Sequence, residues 1–208
     1  MSRKQISTMS GSSKSILVFL GSTRDGRQGL RLARMFMSHL SEHGLVPTLI
    51  DPLEINAPLL TNPIHFMPDQ SAAPEWLKKL DQQIKEAVGF VFVCPEYNAT
   101  VAPALTNLID YFPPASYRHK PASIATYSMG TMGGCRARVA LLPVLGEVGM
   151  FALPTSLMIP TIQNAEIADD GATTNERVIS KVTQICKEMD WYVGALQSQK
   201  AATTGYPN

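Results

Sequence analysis

The stretch Ser15-Ile-Leu-Val-Phe-Leu-Gly21 is a nearly continuous apolar run that ends in glycine. Such a run is typical of a β-strand buried on both faces, as in a parallel sheet covered by helices. Apolar residues at helical spacing follow it, so the sequence predicts a helix from about Arg27 to His43, which Gly44 ends. This strand and helix begin an alternating α/β pattern.

The same alternation continues along the chain. Further strands are predicted at residues 45–51, 89–94, 122–127 and 153–159, and further helices at 75–88, 103–112, 133–150 and 173–197. Thr174 or Asn175 is expected near the start of the last helix, Pro95 is expected to end the third strand, and the proline-rich stretch 52–74 is expected to be a long loop. The pattern predicts a doubly wound, five-stranded parallel sheet with helices on both faces.

The length fits one domain, predicted at residues 15–198, with a flexible N-terminal tail at 1–14 and a C-terminal tail at 199–208. The first tail is basic and rich in serine, and it lacks the apolar core of a secretory signal. No apolar run reaches the roughly 18 residues of a membrane helix. With 18 basic and 17 acidic residues, the net charge of +1 does not favour nucleic-acid or membrane partners.

The cysteines and histidines do not have the spacing of a metal site, so no metal is predicted. The cysteines are odd in number, which favours free thiols in a reducing compartment, and we expect a cytoplasmic protein. They are Cys94, Cys135 and Cys186.

The loop Gly21-Ser-Thr-Arg-Asp-Gly-Arg-Gln-Gly29 joins the first strand to the first helix. A helix N-terminus favours an anion, and hydroxyl and guanidinium groups in the loop would add donors. The loop matches neither the Walker pattern nor the dinucleotide fingerprint. It therefore predicts a phosphate site, in which Asp25 would point outward. The alternative is an ordinary turn in which Ser22 or Thr23 caps the helix.

Two further loops are expected at the same edge of the sheet, where ligands of doubly wound folds bind. Pro95-Glu-Tyr-Asn98 offers an aromatic face and an amide that donates and accepts, unless Tyr97 only packs on the core. In Ser128-Met-Gly-Thr-Met-Gly-Gly134 the glycines allow close approach of the backbone to a ligand, although glycines also serve tight turns. The three loops together predict a site for a planar molecule that carries a phosphate.

The chain resembles the NAD(P)H-dependent FMN reductase family in these three loops and in Pro103-Ala-Leu-Thr-Asn-Leu-Ile-Asp-Tyr111. The resemblance covers roughly residues 15 to 195, and Pro-Glu-Tyr-Asn is its most specific element. It implies a flavodoxin-like sheet of order 2-1-3-4-5 with FMN at the carboxyl ends of the strands. It also implies homodimers or homotetramers, with the 103–112 helix near the subunit contact.

The resemblance assigns the site residues by position. For the FMN phosphate it implies Ser22, Thr23 and Arg24, with Gly29 allowing a tight start of the helix. For the isoalloxazine and ribityl region it implies Pro95, Glu96, Tyr97 and Asn98. For the pyrimidine side of the ring it implies the backbone of Ser128, Gly130 and Gly133.

The implied activity is transfer of a hydride from NADPH or NADH to bound FMN, and then to a quinone, free flavin or similar small-molecule acceptor. No side chain is predicted to be catalytic, because the cofactor performs the chemistry. Preference for NADPH would need a basic rim, for which Arg27, Arg118 and Lys120 are candidates. The alternatives are a flavodoxin-type electron carrier, which a net charge of +1 argues against, and a scaffold protein without turnover.

Overall fold

The computed structural model describes residues 14–206, so that the predicted tail at 1–14 lies, apart from Lys14, outside the described residues. The strands are β1 (Ser15–Leu20), β2 (Val46–Ile50), β3 (Gly89–Tyr97), β4 (Thr100–Val101), β5 (Pro121–Tyr127), β6 (Phe151–Ala152) and β7 (Leu157–Ile159). The helices are α1 (Gly29–Glu42), α2 (Pro52–Ile55), α3 (Glu75–Glu86), α4 (Pro103–Asp110), α5 (Pro114–Tyr117), α6 (Cys135–Glu147) and α7 (Glu176–Ala202).

The main strands pair in parallel in the order β2-β1-β3-β5, and both β6 and β7 pair in parallel with β5. Because β6 and β7 together occupy the fifth position, the predicted α/β class and strand order are confirmed. The predicted number of five strands is wrong, since the sheet has seven. The fifth strand is interrupted between Ala152 and Leu157, where Pro154 lacks the N–H that a continuous strand would donate.

The strands are buried on both faces because their side chains alternate between two cores. On β1, Leu17 and Phe19 belong to the core under α3, α4 and α6, whereas Ile16, Val18 and Leu20 belong to the core under α1 and α7. The residues of β3 alternate in the same way. Helices therefore cover both faces of the sheet, which is why these strands are nearly all apolar.

Strand β3 does not end at Pro95, as predicted, but continues to Tyr97. Pro95 still pairs in register with Tyr127 of β5, and the chain then turns back into the antiparallel strand β4. Asn98 and Ala99 make this turn with φ angles of 48° and 65°. The Pro-Glu-Tyr-Asn motif is therefore the end of a strand and the first residue of a tight turn.

The prediction of a long loop at 52–74 is only partly right, because the segment contains α2 and two single turns of 3₁₀-helix, at Ile64–Phe66 and Gln70–Ala72. Asn175 is the N-cap of α7, as predicted, and its side chain accepts a hydrogen bond from the N–H of Val178. That helix continues past its predicted end to Ala202, into the stretch expected to be the C-terminal tail.

Two buried hydroxyl groups on β5 give a test of the packing. Ser123 is fully buried and its hydroxyl has no hydrogen-bond partner among the described residues, whereas the Thr126 hydroxyl donates to the Gly133 carbonyl at 3.0 Å. We expect Ser123→Ala to raise the free energy of unfolding by about 1 kcal/mol, because an unpaired buried hydroxyl is removed. Thr126→Val should lower it by about 1–3 kcal/mol, since it leaves a buried carbonyl unpaired.

Urea unfolding of both variants measures the two changes. A loss of stability in Ser123→Ala as large as that in Thr126→Val would contradict this description of the strand.

Candidate active site

The carboxyl ends of β1, β3 and β5 meet at one edge of the sheet, beside a cleft of about 660 Å³. This volume is within the range of roughly 300–1,000 Å³ that is common for ligand pockets. The lining comes from all three predicted loops: Arg24, Pro95, Glu96, Tyr97, Asn98, Ala99, Tyr127, Ser128, Met129, Gly130, Thr131, Met132 and Arg136. The structure therefore brings the three loops together, as the topology of the predicted sheet requires.

Helix α1 begins beside this cleft without a side-chain cap. Its N-cap is Gln28, whose side chain accepts no hydrogen bond from the first turn, and that turn has no acidic residue. The alternative in which Ser22 or Thr23 caps the helix is therefore wrong. Asp25 is exposed. The helix start retains the N–H groups and partial positive charge that favour an anion.

The side chains of the first two loops contact one another. The buried Ser22 hydroxyl lies 2.6 Å from the Tyr97 hydroxyl, and the Arg24 guanidinium lies 3.6 Å above the centre of the Tyr97 ring. Tyr97 also packs against the apolar core, so this one side chain both contacts the core and lines the cleft. One face of the ring is thus covered by a cation, which is a favourable contact.

Arg27 was a candidate for a basic rim, but it does not line the cleft. Its guanidinium donates to both carboxylate oxygens of Asp51, at 2.7 and 2.5 Å, and to the Ser22 carbonyl at 3.0 Å. The two side chains are only 10% and 2% exposed. Loss of either partner would leave a buried charge unpaired, at a cost of about 3–5 kcal/mol. Arg27 therefore fixes the first loop to the end of β2.

The other two rim candidates also lie elsewhere, since Arg118 and Lys120 line a different surface cavity. The Lys120 ammonium donates to the carbonyls of Ile84, Lys85 and Ser116 at 2.6–3.0 Å. Burial lowers its pKa to about 8. The cationic side chains that do line the cleft are those of Arg24 and Arg136.

Glu96 lines the cleft, but its carboxylate is engaged at the start of α6. It accepts from the backbone N–H groups of Arg136 and Ala137, at 3.0 and 3.4 Å, and from the Arg136 side chain at 2.7 Å. Burial acts to raise the pKa of Glu96, but the hydrogen bonds from Arg136 outweigh it and hold this pKa below its usual range. The carboxylate is therefore an ionised partner of the helix start and not a free acid or base.

The third loop uses its glycines in two ways. Gly130 lines the cleft, and a Cβ there would meet nothing within 4 Å. Gly133 is buried beneath the loop, outside the lining, and a Cβ there would lie 3.0 Å from the Pro160 nitrogen. Gly134 has a φ of +80°, and a Cβ there would lie 2.7 Å from that of Thr126. The paired glycines thus pack the loop against β5 and β7.

Met129, Thr131 and Met132 of the lining lie in the predicted glycine loop, whereas sequence reasoning missed Ala99, Tyr127 and Arg136. Two of them carried a signal. Tyr127 is the last residue of a buried strand at the ligand-binding edge, and Arg136 is a cation in the first turn of a helix, which is unfavourable unless it is paired. Ser22, Thr23 and Gly29 lie outside the lining, although Ser22 contacts Tyr97 and Gly29 opens α1.

Cys94 lies buried on β3, directly before the second loop, and its thiol donates to the Pro95 carbonyl at 3.2 Å. Burial raises the pKa of this thiol to about 11, so it is not a reactive thiolate at neutral pH. Within residues 14–206, no group of three or more His, Cys, Asp or Glu side chains is placed to hold a metal ion. No helix in that range is long and apolar enough to cross a bilayer.

The sequence model of the NADPH-dependent FMN reductase family matches residues 15–164. The chain belongs to this family. It is 29% identical over 179 residues to an NAD(P)H-dependent FMN reductase of Nectria sp., covering 81% of this chain and 85% of that protein. It is 40% identical over 75 residues to a quinone reductase of Escherichia coli K12, covering 35% of this chain and 40% of that enzyme.

A solved structure shares the fold of this family member. The flavoenzyme NAD(P)H:(acceptor) oxidoreductase FerB of Paracoccus denitrificans superposes with a TM-score of 0.71, covering 86% of this chain and 97% of its own. The two sequences are 21% identical, so the likeness concerns the fold. The flavodoxin-like architecture expected from the resemblance is thereby confirmed.

The two roles of the glycines can be separated by substitution. We expect Gly134→Ala to lower the free energy of unfolding by about 2 kcal/mol or more, because its φ is positive and the added Cβ meets Thr126. Gly130→Ala should change it by less than about 0.5 kcal/mol, since the space around Gly130 is open. Denaturant unfolding measures both values, and equal losses would show that the loop is packed differently.

Proposed function

We propose that this protein is an FMN-dependent oxidoreductase that passes a hydride from NAD(P)H to its flavin and then to a quinone, free flavin or similar acceptor. The observation that carries the proposal is the cleft itself, where an uncapped helix start and Arg24 adjoin a wall of aromatic, methionine and glycine residues. One end of the cleft suits a phosphate and the other suits a planar ring. Membership of the NADPH-dependent FMN reductase family supports the same assignment.

The phosphate end would be formed by the first loop. The N–H groups at the start of α1 and the guanidinium of Arg24 would be the donors there, and we propose that Ser22 and Thr23, which precede Arg24 in the loop, add their hydroxyls. Among the described residues Arg24 forms no ion pair, so its charge is available to a dianion. The Arg27–Asp51 pair holds the backbone of this loop in place, which reduces the cost of ordering it when an anion binds.

The ring end would be formed by the second and third loops. Pro95, Tyr97 and the stretch from Ser128 to Met132 line the cleft. The bound flavin would supply the redox chemistry, accepting a hydride from NAD(P)H and delivering it to the acceptor. The N–H groups of the glycine loop would stabilise negative charge on the reduced ring, as donors that are already in place.

No side chain is assigned as a catalytic acid or base. Glu96 is the one carboxylate in the lining, and it is held by Arg136 and the start of α6. The chain's own contribution is therefore to bind the cofactor, orient it and leave one face of the ring open to a second molecule. Such a site suits acceptors that are planar and reducible, and it does not require that they share one molecular shape.

We also propose a homodimer or homotetramer in the cytoplasm. Large apolar side chains are exposed near the cleft and on the 52–74 segment, which is typical of surfaces that associate. They include Leu59, Phe66, Met129 and Met132, which are 82%, 69%, 62% and 59% exposed. The three cysteines are all free thiols, which is consistent with a reducing compartment.

Turnover by the flavin-loaded protein tests the proposed activity. The purified protein, reconstituted with FMN and freed of excess flavin, is expected to show visible flavin absorbance and to oxidise NADPH or NADH in the steady state when a quinone or free FMN is added. The matched control is the same mixture with an equal concentration of free FMN and no protein. Bound flavin without turnover would support the electron carrier instead, and failure to bind FMN would contradict both functions.

Replacement of Arg24 tests the phosphate end. Arg24→Ala should weaken FMN binding by roughly tenfold to over a hundredfold, because a hydrogen bond to a charged group is worth ~1.5–3 kcal/mol. Fluorescence titration of the apoprotein with FMN gives the dissociation constant. Arg34→Ala is the matched control, since Arg34 is exposed on α1 and donates to the Asp169 carbonyl outside the lining. Unchanged affinity in Arg24→Ala would show that Arg24 does not contact the phosphate.

A further inference from the structure

The glycine loop, Ser128 to Gly134, is hydrogen-bonded along one side to the residues that follow β7. The carbonyls of three consecutive loop residues, 128–130, each accept a hydrogen bond from the segment 161–163. The donors to Ser128, Met129 and Gly130 are, in this order, the N–H of Ile162 at 3.0 Å, the side-chain amide of Gln163 at 3.2 Å and the N–H of Thr161 at 2.9 Å. Residues 128–130 line the cleft, whereas residues 161–163 do not. The segment therefore supports the loop from outside the cleft.

Segment 161–163 has a fixed position of its own. Ile162 is fully buried in the core on the α1 side of the sheet, and its carbonyl accepts from the Arg31 side chain of α1 at 2.7 Å. Thr161 has φ and ψ angles of 43° and 52°, in the left-handed region. That region is unfavourable for a β-branched residue, which adopts it only where the surrounding structure imposes it. The backbone of the segment is thus held by contacts other than those with the loop.

The directions of the three carbonyls determine where the N–H groups of the loop point. In a trans peptide the N–H is directed opposite to the carbonyl of the preceding residue. The N–H groups of Met129, Gly130 and Thr131 therefore point away from segment 161–163. None of the three forms a backbone hydrogen bond within the described part of the chain. Because the same residues line the cleft, these donors are available to a ligand there.

We propose that Gln163 is a positioning residue for the flavin site. Its amide fixes the Met129–Gly130 peptide, so that the Gly130 N–H is directed at the ring and stabilises the negative charge of the reduced flavin. Gln163 thereby raises the reduction potential of the bound cofactor without contacting it. The inference rests on the proposed function, and it assigns to that function a residue from outside the three loops at the sheet edge.

Gln163 is the member of the segment whose contribution depends on its residue type. Thr161 and Ile162 donate through backbone N–H groups, which every residue except proline supplies. At Gln163 the donor is the side chain, and since a carbonyl can only accept, the amide must present its NH₂ group to Met129. Gln163 is exposed, so replacing its side chain leaves the core intact.

A purely structural role of this hydrogen bond predicts a different result. If Gln163 only ordered the loop, its loss would weaken the binding of oxidised and reduced FMN by the same factor, and the reduction potential of the bound cofactor would not change. If Gln163 aims the Gly130 N–H, its loss weakens the binding of reduced FMN more, because the negative charge is present only in that form. The ratio of the two dissociation constants therefore separates the two roles.

The test measures this ratio in Gln163→Ala and in the wild-type chain. Fluorescence titration of the apoprotein gives the dissociation constant of oxidised FMN, and anaerobic equilibration of the holoprotein with a reference dye gives the reduction potential. We expect the ratio of the reduced to the oxidised constant to rise roughly threefold to tenfold, which is the effect of one hydrogen bond. For a two-electron couple this change lowers the potential by about 15–30 mV.

Two further variants make the test specific. Gln163→Glu keeps the length of the side chain, but at neutral pH its carboxylate cannot donate to the Met129 carbonyl. It should lower the potential at least as much as Gln163→Ala, because it also adds a negative charge beside the loop. Asn164→Ala is the matched control and should leave the potential unchanged, since Asn164 is the next residue of the same 3₁₀ turn and is exposed, but lines a different cavity.

The proposal is overturned if Gln163→Ala has the reduction potential of the wild type, whether or not its affinity for FMN falls, or if Asn164→Ala lowers the potential equally. Failure of the proposed function gives other results. A wild-type chain that does not bind FMN contradicts both proposals. If the wild type binds and turns over FMN while neither Gln163 variant shifts the potential, the function stands and the role of Gln163 is wrong. A shifted potential in a flavoprotein without turnover supports the role of Gln163 and contradicts the oxidoreductase.

Discussion

Parallel pairing of β1, β3 and β5 is the constraint on which the site depends. Because these strands run in one direction and are buried on both faces, their carboxyl ends, with the loops that follow, must meet at one edge. The start of α1, the end of β3 and the glycine loop are brought together in this way, although they are far apart in the sequence. The pairing of Pro95 with Tyr127 even fixes which residue of β5 faces the second loop.

Much of this arrangement could be predicted from local pattern. The strands, most helix bounds and the three ligand-binding loops follow from apolar periodicity and from the positions of glycine and proline. The ion pairs could not be predicted, because Arg27 and Asp51 lie 24 residues apart and Glu96 and Arg136 lie 40 apart, and only tertiary structure joins them. Arg27 was a candidate for the rim for the same reason, because its residue type indicates a cation but does not reveal that Asp51 is its partner.

Polar groups at the edge of the sheet that have no partner are as informative about the ligand as those that are paired. The start of α1 has no side-chain cap, and Arg24 has no ion pair among the described residues, so both can interact with an anion. Their coincidence at one point of the described structure, next to an apolar cleft, is the physical basis for placing an anionic, planar ligand at this edge. Both groups belong to the segment from Gly21 to Gly29.

The pairing of charges around the cleft also affects how molecules reach it. Asp51 neutralises Arg27 and Glu96 neutralises Arg136, so that Arg24 is the unpaired charged side chain in the lining of the cleft among the described residues. Its field extends over about one Debye length, roughly 10 Å at 0.1 M salt. Electrostatic steering would therefore speed the encounter with anionic nicotinamide and flavin nucleotides. A neutral quinone would arrive by undirected diffusion, so that the two halves of the reaction would respond differently to ionic strength.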